Sequence, residues 1–176
     1  MATTMKLIGK SVLGSAAASI EFTSIPGTMT DLYLICTTRN SGAGTGNGQI
    51  NITFNSSTSG YSYRRLMGGG NPQAASSANA SSLSALDVST FTAASDGQTA
   101  NTFSSTEVYI PNYAGSTNKS VSATTVNENN AVEAYMVVYA GLWANTAAIT
   151  TVKVADRSGY NFMANSSFFL YGITKA

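Results

Sequence analysis

The chain has 176 residues, of which 43% are hydrophobic and only 10% charged, with a formal net charge of +1. That length suits a single domain over 1–176, and the apolar content is enough for a core without disulfides. Nine basic residues against eight acidic ones give no cationic cluster beyond Arg64 and Arg65, which excludes a nucleic-acid binder and a polybasic membrane contact.

Along the chain, period two dominates. Residues 1–20 carry Lys6 and Lys10 but no apolar run of signal-peptide length, so no cleaved export signal is expected. Residues 1–10 are read as an N-terminal docking arm or an edge strand. No run of roughly eighteen apolar residues occurs anywhere, so membrane insertion is not expected. Strands are predicted over 6–13, 19–22 and 30–39. In the last of these, Leu32, Leu34 and Cys36 take one side and Tyr33, Ile35 and Thr37 the other. At 49–55, Ile50, Ile52 and Phe54 alternate with Asn51, Thr53 and Asn55.

Further alternating runs lie at 61–67, 83–91, 102–110, 120–126, 133–140, 149–154 and 167–174, separated by Gly, Asn, Ser and Pro clusters. Roughly ten short antiparallel strands with such turns predict an all-β fold, a β-sandwich or barrel. Residues 73–84 (QAASSANASSLS) could be a short helix, a loop or an extended arm, and are read as a loop. Two runs are apolar on both faces. In 133–140, Tyr135, Val137 and Tyr139 oppose Met136, Val138 and Ala140; 168–173 (FFLYGI) shows the same doubling. The surplus face must be covered within the chain or by another subunit, so Tyr135, Val137 and Tyr139 are candidate oligomer contacts.

Ser, Thr and Asn account for 61 residues, so the surface is built of hydroxyls and amides. Little charge repulsion keeps copies apart, and self-association is expected. Histidine is absent and Cys36 is the only cysteine, which removes the commonest general base, thiolate zinc sites and internal disulfides. Cys36 alternates with Leu32 and Leu34, as suits a small buried hydrophobe.

The eight acids, Glu21, Asp31, Asp87, Asp96, Glu107, Glu128, Glu133 and Asp156, share no motif spacing. Neither a carboxylate pair for glycoside hydrolysis nor a calcium loop is indicated. The glycine-rich segment 42–48 follows a strand and precedes another, so it is read as a hairpin connection and not a dinucleotide loop. Tyr61, Tyr63, Tyr113 and Trp143 are candidate surface contacts for a glycan, although a single Trp near strand ends is more often a core or rim anchor. No enzyme activity, cofactor or metal is expected. Five Asn-x-Ser/Thr triplets, at Asn51, Asn55, Asn79, Asn118 and Asn165, are what chance gives in such a composition.

Several phrases carry a resemblance. Phe22-Thr23-Ser24-Ile25-Pro26-Gly27 is followed by Ile52-Thr53-Phe54-Asn55, then by Tyr109-Ile110-Pro111-Asn112-Tyr113-Ala114-Gly115. Ala140-Gly141-Leu142-Trp143 and the ending Leu170-Tyr171-Gly172-Ile173 complete the series. In this order, from about Ser19 onward, the chain resembles small structural virion proteins of tailed phages, chiefly marine phages and cyanophages, described as decoration or tail-fibre-like proteins. The resemblance implies a jelly-roll-type β-sandwich on the particle surface, a homo-oligomer expected to be a trimer, and release from the host cytoplasm by lysis.

It implies no catalytic residues. The chain spends nearly all its length on one globule, with no room for a fibre shaft. The expectation is therefore a capsid decoration or cement protein that contacts the major capsid protein or another virion protein. The alternative is a receptor- or glycan-binding tail-fibre or tail-tip domain that touches a host-surface glycan.

Overall fold

A computed structural model describes residues 4–44, 48–69, 74–88, 94–130 and 134–174. Parts of several predicted segments, including Glu133 and positions 1–3, 45–47, 70–73 and 89–93, lie outside the described residues. Among those described, every regular element is a strand. The strands are β1 (Met5–Val12), β2 (Ser19–Phe22), β3 (Asp31–Asn40), β4 (Ile50–Phe54), β5 (Tyr61–Gly69), β6 (Ala74–Leu83) and β7 (Leu86–Asp87). They continue with β8 (Ala94–Ser95), β9 (Ser104–Ile110), β10 (Lys119–Asn127), β11 (Tyr135–Trp143), β12 (Val152–Asp156) and β13 (Ser167–Ile173).

They form two sheets. The larger runs β1-β13-β3-β9-β10-β11-β5-β6, with the short β8 parallel to the end of β3; the smaller runs β2-β12-β4-β7. All other pairings are antiparallel, and β9, β10 and β11 form a meander. The all-β sandwich expected from the sequence is what forms. Residues 1–10 contribute β1, an edge strand bonded along β13.

Two expectations fail. Residues 73–84 were expected to be a loop, yet 74–83 form the edge strand β6. Ala and Ser carry little strand preference of their own, and the ladder with β5 decides the outcome. The 42–48 segment is read from the sequence as a hairpin connection, but β3 and β4 lie in different sheets, so these two strands are not a hairpin. Gly97 packs so tightly on the Ala43 carbonyl there that any Cβ would collide with it.

The core follows the alternation. Leu32, Leu34, Cys36, Val108, Val121, Val137, Phe168 and Leu170 from the large sheet meet Ile50, Ile52, Phe54, Val152 and Val154 from the small one. At one corner, Trp143 stacks on Tyr61 with ring centroids 6.1 Å apart and touches Phe54 at 5.6 Å. The Tyr61 hydroxyl accepts the Phe54 N–H at 2.9 Å, and the Trp143 indole N–H donates to Ser57 Oγ at 3.4 Å. Each buried ring thereby places its polar atom on a partner.

The other end of the large sheet is built differently. Thr38, Ser104, Thr106, Thr125 and Asn127 point inward and are fully buried. Next to them, in the segment 94–102, Ala94, Ser95 and Gln98 are buried. Buried polar groups must find partners, and Thr38 pairs with Ser104 at 3.0 Å and Thr106 with Thr125 at 3.1 Å.

Asn127 donates to Gln98 Oε1 at 3.0 Å, and the Ser95 N–H donates to the same oxygen at 3.1 Å. Thr125 Oγ1 donates to the Val88 carbonyl at 3.1 Å. The Arg39 guanidinium donates to the carbonyls of Thr99, Thr102 and Gln98 at 3.0–3.2 Å and lies 3.6 Å from the Asp96 carboxylate. Replacing Trp143 with Ala should cost about 3–5 kcal/mol, because a fully buried ring would leave a cavity between the sheets; denaturant unfolding checks this.

Candidate interaction surface

Parity fixes which side of each strand faces water. In β11, Val137, Tyr139 and Trp143 point into the core, and Met136, Val138, Ala140 and Leu142 point out. The candidate oligomer contacts are thus corrected: Val137 and Tyr139 are buried within the sandwich, and Tyr135 is half-buried beside them. The surplus apolar face of this strand belongs to Met136 and Val138 instead.

Neighbouring strands enlarge that face. Leu66 on β5 is directly opposite Val138, and Val126 on β10 is directly opposite Met136. Leu66 is 64% exposed, Val138 54%, Met136 53% and Val126 40%. Single exposed apolar residues are ordinary, but these four are cross-strand neighbours and make one patch.

Leu66 and Val126 escaped the sequence reading because each sits at a position that alternation alone assigns to the outside. The detectable signal was a polarity conflict within β10. There Thr125 and Asn127 take inward positions while Val126 takes the outward one. At this end β10 is polar inside and apolar outside, and the patch continues onto β11 and β5.

On β9, β10 and β11 the rest of the outer face is uncharged or internally paired. Ser120, Ser122 and Thr124 of β10 are exposed. The Tyr33 hydroxyl donates to Glu107 Oε2 at 2.5 Å, and the Tyr109 hydroxyl donates to Asp31 Oδ2 at 2.8 Å. Asp31 also accepts the Asn112 N–H at 2.8 Å. Arg64 is an exposed cation on this face.

The candidate glycan contacts are also corrected. Tyr61, Tyr113 and Trp143 are buried core residues. The Tyr113 hydroxyl donates to the Pro26 carbonyl and its ring anchors the turn after β2. Tyr63 alone of the four is partly accessible. It lies 5.0 Å from the Tyr139 ring, with the Arg65 guanidinium 5.7 Å from its own centroid. Its recess is also lined by Asn51, Asp87 and Arg157, and the last two are paired at 3.0 Å.

Asp156 serves structure. It accepts Asn40 Nδ2 at 2.7 Å and the N–H groups of Gln49 and Ser158 at 3.1 and 2.8 Å, locking the start of β4 to the end of β12. Lys119 is buried, with Nζ donating to the carbonyls of Gly115 (2.7 Å) and Thr117, and desolvation lowers its pKa. Burial pushes the Cys36 thiol up, as expected for an inert core residue. Among the described residues, no three His, Cys, Asp or Glu side chains lie together as a metal site would require. No protein-family model matches the chain, and no curated protein is similar to it.

Val137→Asp should unfold the chain, because an unpaired charge in this core costs several kcal/mol. Val138→Asp should keep the native circular dichroism and change only association, since its side chain is in water. Light scattering and circular dichroism on the two variants together check both outcomes.

Alkaline pH should destabilise the fold. The hydrogen bond to Glu107 raises the Tyr33 pKa to about 12, the bond to Asp31 raises Tyr109, and burial raises Tyr61, Tyr113 and Tyr139. Folded-state values above the unfolded one mean that this stabilisation is complete below about pH 10 and lost as pH rises through the folded values. Lys119 has the opposite sign, raising stability as pH approaches the ordinary lysine value of 10.5, but it is one group against five. Unfolding free energy measured from pH 9 to 12 should fall, and less steeply in Tyr33→Phe.

Proposed function

We propose that this protein is a structural component of a tailed-phage particle, a decoration or cement protein seated on the capsid exterior and acting through protein–protein contacts. The observation that carries this is the patch of Leu66, Val126, Met136 and Val138 on an otherwise hydroxyl-rich face. Nothing among the described residues covers it. Exposed apolar neighbours of this kind mark a surface that meets another protein.

The resemblance to small virion proteins supplies the setting, and with it the jelly-roll connectivity within the sandwich, the homo-oligomer and release by lysis. The absence of histidine and the engagement of Asp31, Asp87 and Asp156 in structural hydrogen bonds support binding over catalysis. The receptor- or glycan-binding tail domain is the weaker proposal. Three of the four aromatics on which it rested are in the core, which leaves only Tyr63 within reach of a sugar.

Immunogold labelling and mass spectrometry of purified particles test the proposal. Label on heads is expected, with release of the protein and loss of capsid stability when Val138 and Met136 are replaced by Asp. Label confined to tails favours the receptor domain. A protein missing from particles overturns both.

A further inference from the structure

The large sheet ends in two free edges, and they are treated oppositely. The β1 edge carries Lys6 and Lys10, and its register slips between Leu7 and Gly9. Charges and irregularity of this kind keep an open edge from pairing with other chains. The β6 edge has neither device. Its sequence, AASSANASSL, contains no charge and no proline, and Ala74–Ala80 run in unbroken register along β5. Irregularity begins only beyond, with the shift opposite Tyr61 and Tyr63 and the positive φ of Ser82. Among the described residues, nothing pairs with the outer edge of these seven regular residues, whose short side chains do not shield it.

We propose that this edge pairs antiparallel with β6 of a second copy, about a two-fold axis through Ser77. Directly opposite residues in such a pair must lie on the same face, so the paired positions must sum to an even number. Centring on Ser77 satisfies that condition and uses the whole regular segment. Ala74 then faces Ala80, Ala75 faces Asn79, Ser76 faces Ala78, and Ser77 faces its own counterpart.

A second copy is favoured over a foreign strand on charge and on continuity. The segment has no charge with which to select a charged partner and none to repel itself. The nearest cations of each copy, Arg64 and Arg65, sit one strand back. The two copies' β5 strands are about 14 Å apart at three strand spacings, beyond the Debye length of about 8 Å.

Ser77 also lies in one cross-strand row with Leu66 and Val138. The axis therefore joins the exposed apolar patches of both copies into a single band on one side of a continuous sheet. Pairing β6 with β6 is isologous and closes at two copies, whereas β6 with the lysine-bearing β1 would run on as an open chain. The inference rests on this edge and is independent of where the protein sits on a particle.

Single cysteines test it on the full chain, because native Cys36 is fully buried and inert. Under a mild oxidant, Ser77→Cys should give a disulfide-linked dimer about tenfold faster than Ala75→Cys or Asn79→Cys, since only the axial residue meets its own copy within disulfide reach. Ser11→Cys on the β1 edge should give none. Ser77→Lys, which places like charges opposite each other on an exposed site, should weaken the dimer about tenfold or more in sedimentation with unchanged circular dichroism.

Equal cross-linking at all positions, or a monomer at about 100 μM, overturns the proposal. A trimer insensitive to Ser77→Lys also overturns it, while leaving the virion proposal standing. Protection of the edge by an unrelated co-purifying strand, with no self-association, overturns it as well.

Discussion

The end of the large sheet around Thr38 and Asn127 depends on one requirement: the buried polar groups of the adjoining loop, at Ser95 and Gln98 and at the carbonyls that Arg39 reaches, must be hydrogen-bonded. A second sheet would satisfy its own backbone and offer side chains, so an apolar surface could face it. An irregular segment offers bare carbonyls and N–H groups, and an apolar surface there would strand them at a cost of about 1–3 kcal/mol each. The inward residues of β3, β9 and β10 there are Thr38, Ser104, Thr106, Thr125 and Asn127, and the buried Arg39, next along β3, alone reaches several carbonyls.

That requirement explains the inside of the sheet and leaves the outside unexplained. On the outer face, Val126 of β10, Met136 and Val138 of the neighbouring β11 and Leu66 of β5 face solvent. Apolar surface gains by leaving water at roughly 25 cal/mol per Å², and nothing in the described chain removes it. An apolar exterior of this kind supports the proposed contact with another protein. On the outer face of β5, Arg64 is the charge nearest the patch, and the hydroxyls of β10 around it add none. The unguarded β6 edge lies beside the patch, so backbone pairing and apolar contact can act on one partner together.

The aromatic residues divide by position in the layers. Tyr61, Tyr113 and Trp143 have apolar bodies and one polar atom, the composition of a sugar platform and equally of a core residue. Each polar atom finds a partner nearby: Phe54 N–H for Tyr61, the Pro26 carbonyl for Tyr113 and Ser57 for Trp143. With those bonds made, burial is the lower-energy arrangement. At Gly172, close approach of Met29 leaves no room for a Cβ, which fixes how the turn after β2 packs over β13.

The sequence by itself determined the class of fold, because period-two alternation in segments such as β3, β4 and β10 is a local property that survives any packing. It also marked Cys36 as a core residue, since parity with Leu32 and Leu34 is read directly from the chain. Only the tertiary structure decided which parity faces inward in β11, where both faces are apolar and only the opposing small sheet distinguishes Val137 from Val138. Likewise, β6 is a strand because β5 supplies its ladder, and its Ala and Ser residues carried no signal of their own. Alternation says that two faces exist; what lies across from each is a matter of distant segments, and in this protein those segments place polar groups inside and apolar ones outside at the same end of one sheet.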